Sequence, residues 1–232
     1  MTNEILFLVQ IVFLSLTALL AHRLGSQALC SFICLQALMA NLFVTKQILL
    51  FGFNATCADS YSVAASLALI LAQERYGYAQ SRHYIWISFC ILAIFSIICQ
   101  MHLAFMPSTQ DTSNQHFVEI FGLIPRILAS SMFAFVCSQL LDAWIYKTLT
   151  LYANQLPITI RTLVSVAITQ FVDTVLFTLC ALYGLNDHLS HIIIFSYGIK
   201  LTICFFMTPL TRHLINQFSS QPVENNHIAS SS

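Results

Sequence analysis

The chain has 232 residues, of which 58% are hydrophobic and only 8% are charged, with nine basic and nine acidic side chains. Because soluble domains carry about 25% charged residues, this composition excludes an ordinary soluble protein and indicates a polytopic membrane protein. A zero net charge without a basic patch gives no reason to expect a nucleic-acid partner. The eight cysteines lie mostly within apolar runs, and we interpret them as small buried hydrophobic residues.

Apolar segments separated by short polar stretches predict an all-α fold, a polytopic integral membrane helix bundle in contact with the lipid bilayer. The predicted helices are 5–21, 28–44, 58–73, 84–105, 121–146, 162–183 and 191–210. A polar, glycine-containing interruption follows the second helix. The third is short and rich in Ala and Ser, which favours either a re-entrant segment or close packing between neighbours. Since the first or third segment could fail to span, the pattern predicts six to seven transmembrane helices.

The domain organisation predicted from these segments is simple. Residues 1–218 are predicted to form a single integral membrane domain, and residues 219–232 are polar and small, which predicts a disordered C-terminal tail. The sequence contains no nucleotide-binding loop and no metalloprotease motif, so we expect neither an enzyme nor a cofactor. His188 and His191 have helical spacing but too few neighbouring ligands, so no metal site is expected.

The loops indicate an orientation through their basic residues. Arg75 and Arg82 lie between the third and fourth helices, and Lys147 and Arg161 lie between the fifth and sixth. The loops after the fourth and sixth helices contain no Lys or Arg. This asymmetry predicts a multi-pass protein of the cell inner (plasma) membrane with a cytoplasmic C-terminus, although Lys46 then falls in an outer loop.

The fifth and sixth helices carry the same polar pattern within apolar sequence. Each has an Arg, a Ser four residues later, a Gln, and an Asp three residues after the Gln: Arg126, Ser130, Gln139 and Asp142, then Arg161, Ser165, Gln170 and Asp173. The distances between Ser and Gln differ by about one helical turn, so each set can keep to one face of its helix.

Charged side chains within apolar helices are expected to face the bundle interior and to pair with each other, because each costs about 2.5–3.5 kcal/mol near the bilayer centre. We predict the pairs Asp142–Arg161 and Asp173–Lys200. Such pairs could serve only to hold helices together. The alternative interpretation is a pocket near the middle of the membrane in which carboxylates, amides and aromatic rings bind a flat polar heterocycle.

These residues resemble a known family, the queuosine precursor transporters, also called the vitamin-uptake transporter family. The matching segments are ANLFVTKQILLFGF at 40–53, ERYG at 74–77, FGLIPRILASSMFAFVCSQLLDAWIY at 121–146, RTLVSVAITQFVDTVLF at 161–177, and Lys200. The resemblance implies uptake of a small-molecule 7-deazaguanine base, namely 7-cyano-7-deazaguanine, 7-aminomethyl-7-deazaguanine or queuine, for the queuosine of tRNA. The substrate-binding positions that it implies are Glu74, Arg126, Ser130, Gln139, Asp142, Arg161, Gln170, Asp173 and Lys200.

One segment departs from the family pattern. Where a Pro-rich stretch with an Asp and an Asn is expected before Glu74, the chain reads ADSYSVAASLALILAQE, so that Asp59 is displaced and Gln73 replaces the Asn. The family is also similar to the substrate-binding subunits of ATP-driven energy-coupling-factor importers for vitamin-like heterocycles, which require an energy-coupling partner. Buried paired charges favour a stand-alone carrier over such a subunit. The sequence is compatible with either a monomer or a homo-oligomer.

Overall fold

The computed structural model describes residues 2–152, 158–186 and 188–202. Eight helices and two strands follow one another in this part of the chain. They are α1 (Thr2–Leu24), α2 (Ser26–Phe43), β1 (Gln47–Leu50), β2 (Phe53–Thr56), α3 (Asp59–Tyr76), α4 (Tyr78–Leu103), α5 (Asn114–Phe121), α6 (Ile124–Tyr152), α7 (Ile158–Leu182) and α8 (Leu189–Thr202).

Five stretches of the described residues are long and apolar enough to cross a membrane. They are α1, α2, α4, the stretch Asn114–Leu149 that runs through α5 and α6, and Val164–Leu182 within α7. This confirms the predicted polytopic helical class. The other two predicted helices correspond to α3, whose 18 residues are more polar, and to α8, which is shorter and apolar. The last part of the seventh predicted helix and the tail 219–232 lie outside the described residues.

The helix α3 packs against α1 and α2 through small residues, which is the second of the two alternatives that its composition left open. Ala64, Ala68 and Ala72 of α3 are fully buried, and Ala18 of α1 is buried in the same cluster with Leu29 of α2. Small side chains allow helix backbones to approach closely, which in a membrane provides much of the packing energy. Close packing between neighbours is therefore the reason for the Ala-rich sequence of α3.

Two single glycines join consecutive helices at one end of the bundle. Gly25, with φ 112° and ψ −174°, separates α1 from α2, and Gly77, with φ 87° and ψ 168°, separates α3 from α4. Both lie in a backbone region that is essentially restricted to glycine. Arg75 donates a hydrogen bond to the carbonyl oxygen of His22, which holds the two connections together.

A β-hairpin occupies the opposite end of the bundle. Its strands β1 and β2 are antiparallel, with Leu50 opposite Phe53 and the two tip residues at positive φ. Its inner face buries Leu50 against the aromatic rings of α1 and α8. The first turn of α1 holds the tip, since the side-chain nitrogen of Asn3 lies 3.3 Å from the oxygen of Leu49. We expected a polar interruption here and did not predict strands.

The start of the fifth predicted helix differs from expectation. Residues 114–121 form a separate short helix, α5, and α6 begins at Ile124 and continues to Tyr152. The turn between them is held by Gln100 of α4, whose side-chain nitrogen donates to the oxygen of Phe121 at 3.0 Å. The ring of His102 packs edge-on against Phe117, with centroids 5.2 Å apart. The break arises because α5 packs its aromatic side against α4.

We expect Gly25→Ala and Gly77→Ala each to lower the free energy of unfolding by about 1–3 kcal/mol, since alanine is strained at these backbone angles. No neighbouring atom lies within 4 Å of the Cβ that alanine would add at either position, so backbone strain is the only cause. Thermal unfolding in detergent measures the effect. Gly198→Ala in α8, equally uncrowded but at an ordinary φ, is the matched control, and an equal loss there would contradict this reasoning.

Candidate functional site

The interior faces of α6, α7 and α8 meet at an ion pair. The ammonium Nζ of Lys200 lies 2.9 Å from Oδ2 of Asp173 and 3.2 Å from the hydroxyl oxygen of Thr174. The hydroxyl of Ser138 lies 3.5 Å from the other carboxylate oxygen of Asp173. The structure thus confirms the predicted pairing of Asp173 with Lys200, with the two side chains 25% and 20% exposed.

A second carboxylate lies farther along the same seam between α6 and α7. The hydroxyl of Ser165 lies 2.5 Å from Oδ1 of Asp142 and is itself buried. On α6, Ser138 and Asp142 are one turn apart, and on α7, Ser165 and Asp173 are two turns apart, so helical spacing puts them on facing stripes. The side chain of Arg161, the predicted partner of Asp142, lies outside the described part of the chain, and that pairing stays a prediction.

These side chains form a polar track through the bundle, which we define as Ser138, Asp142, Ser165, Asp173 and Lys200. At about 1.5 Å per residue, Asp173 lies about 14 Å below the end of α7 at Leu182. Asp142 lies about 27 Å from the start of α6 at Ile124. We call the end of the bundle at which Gly25 and Gly77 join consecutive helices the glycine-turn end. Since the apolar core of a membrane is about 30 Å thick, the track extends from about mid-depth toward this end.

A third carboxylate, Asp59, adjoins the track and was not among the predicted site residues. It is 7% exposed, and its Oδ1 accepts a hydrogen bond from the hydroxyl of Ser196 at 2.6 Å. Its Oδ2 accepts from the backbone N–H of Thr56 at 3.3 Å. Ser196 precedes Lys200 by one helical turn on α8. The sequence offered one signal for Asp59: the resemblance leads us to expect an Asp shortly before Glu74, and Asp59 lies earlier in the chain.

Arg126 and Ser130 bond to backbone carbonyls. The guanidinium of Arg126 donates from Nε to the oxygen of Cys180 at 3.0 Å and from Nη2 to that of Tyr183 at 2.6 Å. These carbonyls end α7, where a positive charge stabilises the helix. Ser130 donates to the carbonyl of Arg126 at 2.8 Å. Both residues therefore lie near the hairpin end of the α6–α7 pair, away from Asp142.

The remaining predicted residues are spread over the bundle. Gln139 is exposed although its neighbour Ser138 is buried, and Gln170 is half-buried. Glu74 is exposed in the last turn of α3 beside Gly77, at the end of the bundle opposite the hairpin. The structure thus brings Asp142, Asp173 and Lys200 onto one track, and places Glu74 and Gln139 on exposed surfaces.

A polar contact between α2 and α6 was not predicted from the sequence. The hydroxyl of Ser131 donates to the side-chain oxygen of Asn41 at 3.3 Å, and the nitrogen of Asn41 donates to the oxygen of Ala37 at 2.8 Å. Both atoms of the buried amide are therefore used within the bundle. Ser131 lies one heptad before Ser138, a spacing that puts both on the same side of α6.

An apolar groove of about 490 Å³ lies between α1, the hairpin tip and α8, lined by residues such as Phe7, Phe51 and Phe195. Its walls are almost entirely hydrocarbon and aromatic, whereas a polar heterocycle needs groups that bond its edges. Within the described residues, no group of three or more His, Cys, Asp or Glu side chains could hold a metal ion. The polar track is therefore the candidate site.

A helical bundle that crosses the membrane several times and encloses an ion-paired polar interior is the architecture of a membrane transporter. The sequence pattern of the family described as "Putative vitamin uptake transporter" matches residues 60–214. The chain is 31% identical over 188 residues to the "Probable queuosine precursor transporter" of Bacillus subtilis (strain 168), covering 80% of this chain and 82% of that protein. The chain belongs to the vitamin uptake transporter family. No solved structure matches it with significance.

Family membership confirms three expectations from the sequence. The protein is a transporter and not an enzyme, it binds a small-molecule substrate, and it is a multi-pass membrane protein in contact with lipid. The resemblance to queuosine precursor transporters, inferred from the motifs, is also confirmed.

The Asp173–Lys200 pair can be tested by a double-mutant cycle. We expect Asp173→Ala and Lys200→Ala each to destabilise the protein, and the double variant to lose less than the sum, with a coupling free energy of about 0.5–3 kcal/mol. The reason is that each single change leaves the other charge inside the bundle without its partner. Unfolding in detergent gives the values. Lys200→Ala combined with Gln100→Ala, which removes an unrelated contact, should be additive.

Arg126→Lys tests whether this residue stabilises α7. A lysine cannot bond two carbonyls from one planar group, so we expect the free energy of unfolding to fall by about 1 kcal/mol. Transport measured below the unfolding transition should be retained. Arg23→Lys, at an exposed arginine, is the control. Loss of transport without loss of stability would instead indicate that Arg126 contacts the substrate.

Proposed function

We propose that this protein takes up 7-deazaguanine bases, the precursors of queuosine: 7-cyano-7-deazaguanine, 7-aminomethyl-7-deazaguanine or queuine. The observation that carries the proposal is the Asp173–Lys200 pair on the track between α6, α7 and α8. The name of the Bacillus subtilis relative, a queuosine precursor transporter, supports the substrate class.

The chemistry of the track suits the edges of such a base. A guanine-like edge presents two adjacent N–H donors and a carbonyl acceptor, and an ionised carboxylate has about four acceptor positions. Asp142 accepts from Ser165 and has acceptor capacity left for a ligand. The ammonium of Lys200 uses two of its three N–H donors on Asp173 and Thr174 and can donate the third to the carbonyl of the base. Asp142, Asp173 and Lys200 are therefore the proposed substrate-binding residues.

The same proposal includes an orientation in the inner membrane. The glycine-turn end carries Arg23, Arg75 and Arg82. The hairpin contributes Lys46 to the other end, and Arg126 near it is bonded to the carbonyls that end α7. Basic residues accumulate on the cytoplasmic side, so the glycine turns face the cytoplasm and the hairpin faces outward. The direction of α8, away from the hairpin, then places the C-terminus in the cytoplasm.

A host that cannot make the base and lacks its own transporter tests the function. Expression of this chain, with each base supplied separately at low external concentration, should restore queuosine in tRNA for at least one base, provided that the host inserts that base. Absence of rescue by all three, with the protein present in the membrane, would contradict the substrate class. Uptake by purified protein in proteoliposomes, without any ATPase, separates a stand-alone carrier from an energy-coupling-factor subunit.

Variants of the track should separate binding from folding. We expect Asp142→Asn to lower uptake at least about tenfold, because a hydrogen bond to a charged group contributes about 1.5–3 kcal/mol and about 1.4 kcal/mol is a factor of ten. Asparagine keeps the size of the side chain and one acceptor oxygen. Gln139→Ala, on the exposed face of the same helix, is the matched comparison. Full uptake by Asp142→Asn would remove this carboxylate from the site.

A further inference from the structure

We propose that Asp59 is the proton-coupling group of this transporter: its carboxylate binds one proton on the outer side and releases it to the cytoplasm in each uptake cycle. This inference rests on the proposed function, since it explains how uptake of the base is driven. The step is a simple protonation, in which a carboxylate and one proton from the external solution form a carboxylic acid. No other reactant is required.

The first argument is the environment of the carboxylate. Asp59 is almost fully buried, and the donors around its two oxygens are the hydroxyl of Ser196 and the backbone N–H and hydroxyl of Thr56. All of these donors are uncharged. Burying an ionised carboxylate without a directly bonded cation is strongly unfavourable, and in a membrane bundle binding a proton removes that cost at once.

The second argument is the balance of charges around Asp59 in the described residues. From α8 it is faced by Lys200, whose charge acts on it, but the ammonium of Lys200 is bonded to Asp173 of α7. From the hairpin, Lys46 is exposed to solvent and Cys57 is a thiol. Two carboxylates thus share one ammonium inside the bundle. A proton on Asp59 makes this group neutral.

The third argument is position. Asp59 is the first residue of α3 and lies directly after the hairpin, so it is close to the end that we assign to the outside. Its bond to Ser196 joins α3 to α8, across 137 positions of sequence. Hydrogen bonds to an ionised group are about twice as strong as those between neutral groups. Protonation therefore weakens the contact between α3 and α8 and allows α8 to move with the base.

The donors also favour a proton over a metal cation. A sodium ion requires several oxygen lone pairs directed toward it, whereas the backbone N–H of Thr56, which lies on one Asp59 oxygen, has none to offer and points its hydrogen at that position. The hydroxyl of Ser196 could turn a lone pair toward a cation, so the N–H of Thr56 is the group that disfavours one. The geometry around Asp59 therefore suits a bound proton.

Purified full-length protein in proteoliposomes tests the coupling. With labelled 7-cyano-7-deazaguanine and an acidic external solution free of sodium, we expect accumulation several-fold above equilibrium, abolished by a protonophore. Asp59→Asn should lose this accumulation while still exchanging labelled for unlabelled base. Accumulation that ignores the pH gradient, that follows a sodium gradient, or that persists in Asp59→Asn would overturn the proposal. Absence of any uptake of the three bases would instead count against the proposed function.

A measurement without substrate keeps the two failures distinct. Infrared spectra of the protein in lipid should show the band of a protonated carboxylic acid that appears on acidification and is missing in Asp59→Asn but present in Asp142→Asn. If the wild-type protein has no band attributable to Asp59, the proposal fails whatever the transport result. Ser196→Ala, which removes one donor to the ionised form, should move the midpoint of this titration to higher pH and leave the band in place.

Discussion

The ion pair between Asp173 and Lys200 determines how the second half of the bundle is arranged. A charge within the apolar part of a membrane is tolerated only when a partner or water compensates it, and these two charges come from different helices. Their contact sets the rotation of α7 and of α8 about their axes. With these rotations set, Ser165 and Asp173 of α7 face α6. Ser138 and Asp142 of α6 in turn face α7.

The two ends of the molecule are built differently. At one end, glycines in a conformation that other residues rarely adopt reverse the chain in a single step, so α1–α2 and α3–α4 form tight helical hairpins. At the other end, a short β-hairpin separates α2 from α3, and α5 separates α4 from α6. The hairpin satisfies its central backbone groups by pairing its own strands, which permits a non-helical segment beside the bundle. In these connections, helices are therefore joined by single residues at one end and by whole secondary-structure elements at the other.

Membership in the vitamin uptake transporter family assigns the class of activity, and the structure shows where the acidic groups of α3 lie. Glu74 lies in the last turn of α3, and Asp59 stands at the opposite end of the same helix. A carboxylate at the start of α3 contacts α8, whereas one near its end lies beside the glycine turns. The two ends of α3 therefore present acidic groups to different parts of the molecule.

The sequence by itself determined the membrane class, the positions of the apolar helices and one ion pair, because apolar length, charge balance and helical period are local properties, and its motifs determined the transporter family. It did not determine the break between α5 and α6, which depends on packing against α4. Asp173 and Lys200 were paired correctly since both lie near mid-depth of neighbouring helices. Only the tertiary structure decided which polar residues face inward. On α6 the repeated pattern pointed to Gln139, yet the buried residue that contacts Asp173 is Ser138. Consecutive residues differ by about 100° around a helix axis, so the two side chains point in different directions. The contact of Asp59 with Ser196 joins residues 137 positions apart, and no local pattern contains that information, since it depends on how α3 and α8 pack.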